Sequence, residues 1–298
     1  MINRSSLLIE VTRHVLLLAG AAIIIMPFLY MVSVSLKAPD EIVNNSGGFF
    51  GSQIPMLDEL CSITAKDIAN CMMMPALHNY YKALIENPLP RYLFNGVVVT
   101  ASIFFIQVII ALPCAYALAK LKFWGRDFVF AMVMFCLLVP VHAIGIPLYL
   151  MLAKIGLLNS YAALVIPWTI SVFGIFLMRQ FFMTVPDDLV DAARMDGMSE
   201  FAIIWRVMAP TAIPALIAFA IFSVVAHWND YFWPRIVVTG NQNLFTPPLG
   251  IREFRNGIDG NEFGPLMATA TIIVIPMVAA FLLAQRRFIE GITLSGLK

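Results

Sequence analysis

The chain contains 298 residues, of which 60% are hydrophobic and only 12% charged, and its formal net charge is +1. A soluble domain usually has about 25% charged residues, and a water-soluble protein this apolar would expose large adhesive patches. The composition therefore excludes an ordinary soluble domain and indicates the lipid bilayer as the surroundings of the chain. The near-neutral charge gives no argument for nucleic acid as a partner.

Six apolar stretches are long enough to cross a bilayer, which requires roughly 20 residues each. They cover residues 15–36, 93–119, 128–152, 161–181, 211–231 and 263–283. Prolines interrupt several of them, which a membrane bundle tolerates better than a soluble helix does. The sequence thus predicts an all-α, polytopic membrane protein with six transmembrane helices in one domain, residues 1–298.

The first stretch begins like a secretory signal, with Arg4 and Arg13 before an apolar run and Ser33 and Ser35 near its end. A signal peptide has an apolar region of about 7–15 residues, and this run is longer. We therefore expect a retained span. Basic residues near the span ends predict which side is cytoplasmic. They are Arg4, Arg13, Lys120, Lys122, Arg126, Arg179, Arg194, Arg206, Arg286, Arg287 and Lys298.

All these residues fall on one side in the six-span arrangement, so both termini are expected in the cytoplasm. Arg235, Arg252 and Arg255 run against this rule. Loop 37–91 then lies outside, and it contains Cys61 and Cys71. These two could form a disulfide in an oxidising compartment, or they could be free thiols. The chain has no cluster of cysteine and histidine with ligand spacing, so we predict no metal site.

A charged segment, residues 182–210, joins the fourth and fifth spans, and we call it the charged hairpin. Five acidic residues and two arginines lie between Asp187 and Arg206. Pro186 suits a helix start, Gly197 suits a left-handed stop, and Ser199 suits the N-cap of a second helix. The second helix is predicted to have one apolar face, formed by Phe201, Ile204, Trp205 and Met208.

The residues alone leave two interpretations of the hairpin open. It is either a connector that lies among the lipid headgroups or a docking element for a soluble partner. The small residues Ala192 and Ala193 favour docking slightly, because they leave room for another surface to approach.

The charged hairpin contains a motif that indicates a protein family. "DAARMDG", followed after nine residues by "VMAP", resembles the E-A-A-x-x-x-G-x9-I-x-L-P signature of the permease subunits of binding-protein-dependent ABC importers. Ala192, Ala193, Gly197 and Pro210 match it. The chain departs from the signature at three positions, where it has Asp191 in place of Glu, Val207 in place of Ile and Ala209 in place of Leu. "RYLFNGVVVT", "AYALAKLKFWGRD", "WNDYFWPRIV" and the tail "QRRFIEGITLSGLK" resemble the carbohydrate-type, maltose-permease-like members, so the resemblance covers almost the whole chain.

The resemblance implies a permease in the bacterial inner membrane that imports a sugar or sugar-like solute by alternating access. Its implied partners are a second homologous permease subunit, a periplasmic solute-binding protein and two cytoplasmic ATPase subunits, which would bind ATP and Mg. Loop 37–91 would then be periplasmic, and the hairpin would be the ATPase-coupling (E-A-A) loop. The implied coupling residues are Asp191, Ala192, Ala193, Asp196, Gly197, Phe201, Trp205 and Pro210. The sequence itself has no G-x-x-x-x-G-K-[ST] phosphate loop, so we expect no cofactor in this chain.

Polar and aromatic residues inside spans are candidates for the solute path. They are Gln107, His142, Trp168, Trp228 and Asn229. For the aromatic residues near the end of the fifth span an interfacial aromatic belt is the alternative, and His142 could instead satisfy a proline-broken backbone. Loop 236–262 is either a solvated connector or a contact for the binding protein.

Two other classes of function remain alternatives. A membrane-embedded enzyme would need a catalytic motif, and neither H-E-x-x-H nor G-x-S-x-G occurs in the chain. A passive channel or scaffold would leave the charged hairpin without a purpose.

Overall fold

The computed structural model describes residues 4–52, 75–252 and 263–295. Within these ranges the chain is helical and contains no β-strand. Two compact units are present: Met1–Leu89 with Ile251–Ile275, and Pro90–Gly250 with Pro276–Lys298. The single domain over residues 1–298 stays a prediction. So does the disulfide, because Cys61 and Cys71 lie outside the described residues.

The first unit contains helices α1 (Arg4–Ser35), α2 (Pro39–Val43) and α3 (Pro75–Tyr81). The end of α1 exposes backbone carbonyls that need donors. Asn79 of α3 supplies them, since its Nδ2 donates to the carbonyls of Ser35 at 3.0 Å and Lys37 at 2.9 Å. This buried amide therefore fixes the exit of the chain from the first span.

Glu41 organises the segment that follows α1. Its carboxylate is 5% exposed and accepts hydrogen bonds from the backbone N–H of Ala38 at 3.0 Å and of Ser52 at 2.6 Å. Burial raises the pKa of this carboxyl, but hydrogen bonds from Ser52 and Ala38 outweigh that effect, and the pKa is lowered overall. The segment from 38 to 52 is thus closed around one carboxylate.

The second unit contains eleven α-helices within its described part. They are α4 (Leu89–Lys120), α5 (Arg126–Cys136), α6 (Gly145–Lys154), α7 (Tyr161–Val165), α8 (Val172–Thr184), α9 (Asp187–Met195), α10 (Glu200–Ile203), α11 (Ala209–Thr211), α12 (Ile213–Trp228), α13 (Phe232–Val237) and α14 (Pro247–Gly250). A last helix, α15 (Phe263–Ser295), contributes to both units.

Four of the six predicted spans overlap the apolar helical segments Ile9–Ser35, Leu89–Lys120, Ile213–Val237 and Phe263–Gln285. The third of these segments is interrupted at residues 229–231, between α12 and α13. The other two are broken pairs rather than the continuous helices that the sequence predicted: Arg126–Cys136 with Val141–Lys154, bent by 91°, and Tyr161–Trp168 with Val172–Thr184, bent by 41°. Pro140 lies in the first break and Pro167 two residues before the second, and proline removes a backbone donor and restricts the residue before it.

The core of the second unit lies where α4, α8 and α12 meet the charged hairpin. Tyr116, Phe182, Ile203, Met208 and Phe219 are at most 1% exposed within this cluster. Helices α8 and α12 approach closely because Gly174 of α8 has no side chain, and a methyl group there would overlap the Phe219 ring. The hairpin is therefore part of the packed core and not a loose connection.

Candidate functional site

The charged hairpin consists of α9 and α10 joined at Gly197, as the sequence predicts. The N–H of Gly197 donates to the Arg194 carbonyl at 2.9 Å, and that of Met198 donates to the Ala193 carbonyl at 3.1 Å. This pair of bonds is a Schellman motif, which needs a left-handed residue, and Gly197 has a φ of +78°. Ser199 then caps α10, since its hydroxyl accepts the N–H of Ala202 at 3.3 Å. Helix α9 begins one residue after Pro186.

The predicted apolar face of the second helix is wrong in part. Ile204 and Met208 are buried and Trp205 is partly buried, but Phe201 is 65% exposed. The chain forms a π-helix over Ile204–Met208, where residues five apart share a face. Ile203 and Met208 are consequently both fully buried, and Phe201 does not anchor the helix.

The two adjacent alanines do not share one exposed surface. Ala192 is exposed, whereas Ala193 is 6% exposed and packs in the core of the second unit. Successive residues of a helix point about 100° apart, so one alanine faces inward when its neighbour faces outward. The expectation that Ala193 faces a partner is therefore wrong.

An outward surface of mixed character remains on the hairpin. Met195 is 88% exposed and Phe201 is 65% exposed, and they lie among the exposed residues Asp191, Ala192 and Asp196. Trp205, 6.2 Å from the Phe201 ring, is partly buried, and Pro210 lies in α11 on the way to the fifth span. Large exposed apolar side chains within a charged segment are typical of a contact surface.

Ion pairs hold the hairpin in place. The Lys120 ammonium at the end of α4 lies 2.5 Å from Asp187 and holds the pKa of that exposed carboxyl below its usual value. Arg194 pairs with Glu200 at 2.8 Å and with Asp191 at 3.0 Å. Hydrogen bonds from Arg194 and then from the Tyr116 hydroxyl lower the pKa of Glu200, although partial burial opposes the shift.

A second constellation, the polar cluster, lies inside the spans and comprises Gln107, Trp168, Ser223 and His227. The helical pair is interrupted after Trp168, which frees the carbonyl of that residue, and Gln107 Nε2 donates to it at 2.7 Å. Ser223 Oγ donates to Gln107 Oε1 at 2.6 Å, and His227 Nε2 lies 3.2 Å from Gln107 Nε2. Three helical segments are thus joined through one buried amide.

The polar cluster borders a cavity of about 290 Å³. This is close to the lower limit of the ~300–1,000 Å³ typical of small-molecule sites. The lining residues are Gln107, Ser171, Phe173, Phe219, Phe222, Ser223, Ala226 and His227. They include no aspartate, glutamate, lysine or arginine. The Trp168 indole N–H is buried nearby and has no hydrogen-bond partner among the described residues.

The other candidates for the solute path lie elsewhere. Trp228 is 4% exposed and faces Gly96, and the exposed Asn229 donates to the carbonyl of Val225 at the end of its own helix. His142 is exposed and contacts the Phe232 ring, with centroids 4.6 Å apart. The cluster therefore unites only two of the five predicted residues.

Our sequence analysis missed Ser223 and His227. Their spacing of four residues on one apolar helix was an available signal, because such residues share a helix face.

The chain is similar to a known family and to named transport proteins. The family model described as "Binding-protein-dependent transport system inner membrane component" matches residues 94–293. The arabinooligosaccharides transport system permease protein AraQ of Halalkalibacterium halodurans is 33% identical over 204 residues, which are 68% of this chain and 72% of AraQ. The sn-glycerol-3-phosphate transport system permease protein UgpE of Yersinia enterocolitica is 29% identical over 294 residues, which are 97% of each chain.

A solved structure shows the same fold. A chain of a bacterial ABC transporter involved in the import of the acidic polysaccharide alginate superposes with a TM-score of 0.77 at 21% identity, over 97% of this chain and 99% of that one. Because the family model spans two thirds of the chain and the relatives are named as permease proteins, we assign a transport role and not a catalytic one. The chain is a multi-pass membrane protein that belongs to the family of binding-protein-dependent transport system inner membrane components.

Proposed function

We propose that the chain is the permease subunit of an ATP-driven importer of a neutral sugar or sugar-like solute in the bacterial inner membrane. The charged hairpin carries this proposal, because its two short helices join at a left-handed glycine beside exposed Met195 and Phe201. A cytoplasmic ATPase would dock on that surface and drive alternating access.

The proposed assembly contains a second permease subunit, two ATPase subunits and a periplasmic binding protein that delivers the solute. ATP and Mg would be bound by the ATPases, since this chain has no phosphate-binding loop of the G-x-x-x-x-G-K-[ST] type. The hairpin would function as the lever between ATP hydrolysis and the spans. Asp191, Ala192, Asp196 and Phe201 would contact the ATPase, because their side chains face outward.

The polar cluster supports a solute that is neutral. Sugars are bound by amide and hydroxyl hydrogen bonds and by stacking on aromatic rings, and the cavity supplies Gln107, Ser223 and three phenylalanines. An anionic solute, such as the glycerol phosphate in the name of UgpE, calls for an arginine or lysine. Among the residues that the structure describes, neither lines this cavity.

Ala192→Trp tests the docking surface, because the bulky ring would project from an exposed position without disturbing the core. In lipid discs that contain the whole assembly, we expect the variant to pair with the sister permease but to retain less ATPase on purification. Solute uptake should fall in parallel. Gln242→Trp, at another exposed position, is the matched control and should retain the ATPase. Full ATPase retention and uptake by Ala192→Trp would identify the hairpin as a connector only.

A further inference from the structure

Glu200 lies at the centre of a network that crosses from the second span to the charged hairpin. The Tyr116 side chain of α4 is buried, and its hydroxyl donates to Glu200 Oε2 at 2.5 Å. Arg194 donates to both carboxylate oxygens, from Nε at 2.8 Å and from Nη2 at 3.3 Å. One carboxylate therefore ties α4 to both helices of the hairpin.

The same end of α4 makes three further polar contacts. Lys120 Nζ donates to the Val185 carbonyl and to Asp187 at the start of α9. The Leu118 carbonyl accepts a hydrogen bond from Arg179 of α8 at 3.2 Å. The end of α4 thus holds the beginning of the hairpin through Lys120. It holds the turn between the two hairpin helices through the contact of Tyr116 with Glu200. These two polar attachments add to the apolar packing of the hairpin against α4.

Helix α4 continues from this attachment to the polar cluster. Gln107 precedes Tyr116 by nine residues, or about 13 Å at 1.5 Å per residue. Pro113 lies between these two residues and removes one backbone hydrogen bond, but α4 continues through it as one helix, so a displacement at Tyr116 reaches the Gln107 amide. Because Gln107 bonds to Ser223 and to the Trp168 carbonyl, such a displacement would rearrange the lining of the cavity.

We propose that Glu200 is a positioning residue that locks the charged hairpin to α4, so that movement of the hairpin reaches the polar cluster through α4 as well as through α12, which follows the hairpin in the chain. The inference rests on the proposed docking of an ATPase on the hairpin. It adds a division of roles: the outward residues hold the ATPase, and the Tyr116–Glu200–Arg194 network, which meets the outward residue Asp191 through the 3.0 Å ion pair of Arg194, transmits its movement.

Glu200→Gln and Tyr116→Phe test this division of roles. Glu200→Gln keeps the shape of the side chain and removes the charge of the acceptor, and Tyr116→Phe keeps the ring and removes the donor hydroxyl. In lipid discs with the full assembly, we expect normal ATPase retention and basal hydrolysis. Stimulation of hydrolysis by loaded binding protein and solute uptake should each fall roughly tenfold, in line with the cost of a hydrogen bond to a charged group. Asp188→Asn and Tyr231→Phe, at exposed positions, are the matched controls and should behave as wild type.

The double variant provides the readout that a general loss of stability would not produce. Because both residues belong to one network, Tyr116→Phe combined with Glu200→Gln should lose little more stimulation than either change alone. Unchanged stimulation in Glu200→Gln would overturn the proposal. Loss of ATPase retention in Glu200→Gln would also overturn it, because Glu200 would then act in docking. A failure of docking itself is detected separately, by full ATPase retention in Ala192→Trp.

Discussion

The hydroxyl of Ser223 in α12 donates a 2.6 Å hydrogen bond to Oε1 of Gln107 in α4, across 116 residues of sequence. Both side chains are buried, and the same Gln107 amide donates to the Trp168 carbonyl at the break between α7 and α8. A single amide thus satisfies the backbone of a broken span and also faces the cavity. We therefore expect stability and the proposed solute binding to depend on the same residue.

We expect Ser223→Ala to lower both properties moderately. The change leaves the Gln107 oxygen without its donor, which costs about 1–3 kcal/mol for a buried group. Gln107→Leu should be more harmful, because it also leaves the Trp168 carbonyl unsatisfied. Melting temperature and solute uptake in lipid discs measure the two effects. Thr184→Ala removes a hydroxyl that bonds only within its own helix, and it should leave both values near wild type. Equal melting temperatures for Ser223→Ala and wild type would contradict the proposed dependence.

Gly197→Val should disrupt the turn of the charged hairpin. A β-branched residue is strained at a φ of +78°, with a cost on the order of 1–3 kcal/mol. Gly197→Asn should be tolerated better, because asparagine enters the left-handed region more easily. Gly240→Val is the matched control, since Gly240 is exposed and lies outside the positive-φ region. ATPase co-purification should follow the order wild type, Asn, Val, and equal retention by Asn and Val would show that the backbone conformation is unimportant.

The sequence predicted the parts of the hairpin that depend on local backbone chemistry. Gly197 and Ser199 mark the turn because a left-handed residue and a capping hydroxyl are local requirements. The inward face was predicted poorly, because the π-helix over Ile204–Met208 changes the spacing that an α-helix would give. No local pattern in the sequence indicates that change of spacing.

The solute path shows the same limit. Gln107 and Trp168 stood out as polar or aromatic residues within spans, and the structure brings them together. Ser223 and His227 join them only because α12 crosses α4 at that level. Trp228 and Asn229, directly after His227 in sequence, point away, since each step along a helix turns the side chain by about 100°. The point at which two spans cross depends on tertiary packing, so the sequence pattern of one span does not indicate which residues meet there.

Stability should depend on pH through Glu41. Its pKa is lowered in the folded chain, so its contribution is present above the unfolded pKa of about 4.3 and is lost as pH falls through the folded value. We expect Glu41→Gln to lower the melting temperature at neutral pH, where the wild-type carboxylate accepts two backbone N–H groups. The gap between the variant and wild type should narrow as the pH falls below about 4. Asp40→Asn, at the exposed neighbouring position, should melt at the same temperature as wild type. A difference in melting temperature between Glu41→Gln and wild type that did not change with pH would contradict the electrostatic explanation.

The contact between Lys120 and Asp187 restricts how the broken pairs cross the membrane. These residues end α4 and begin α9, and their side chains touch, so both lie on one side of the bilayer. The chain between them must cross an even number of times. The two pairs, 126–154 and 161–184, therefore both cross or neither does, and the apolar length of each favours crossing.

Three cysteine probes in a background without native cysteines distinguish these arrangements. Val43, Ile155 and Met195 are 79%, 60% and 88% exposed, so Val43→Cys, Ile155→Cys and Met195→Cys should each be accessible to a reagent on its own side. If both pairs cross, a membrane-impermeant maleimide added from outside should label the cysteines at 43 and 155 but not the one at 195. Permeabilised cells provide the control, in which all three should react. Labelling at 43 alone would mean that neither pair crosses, because 155 would then share the side of 195. External labelling at both 43 and 195 would place the hairpin outside, away from any cytoplasmic ATPase, and would refute the proposed coupling.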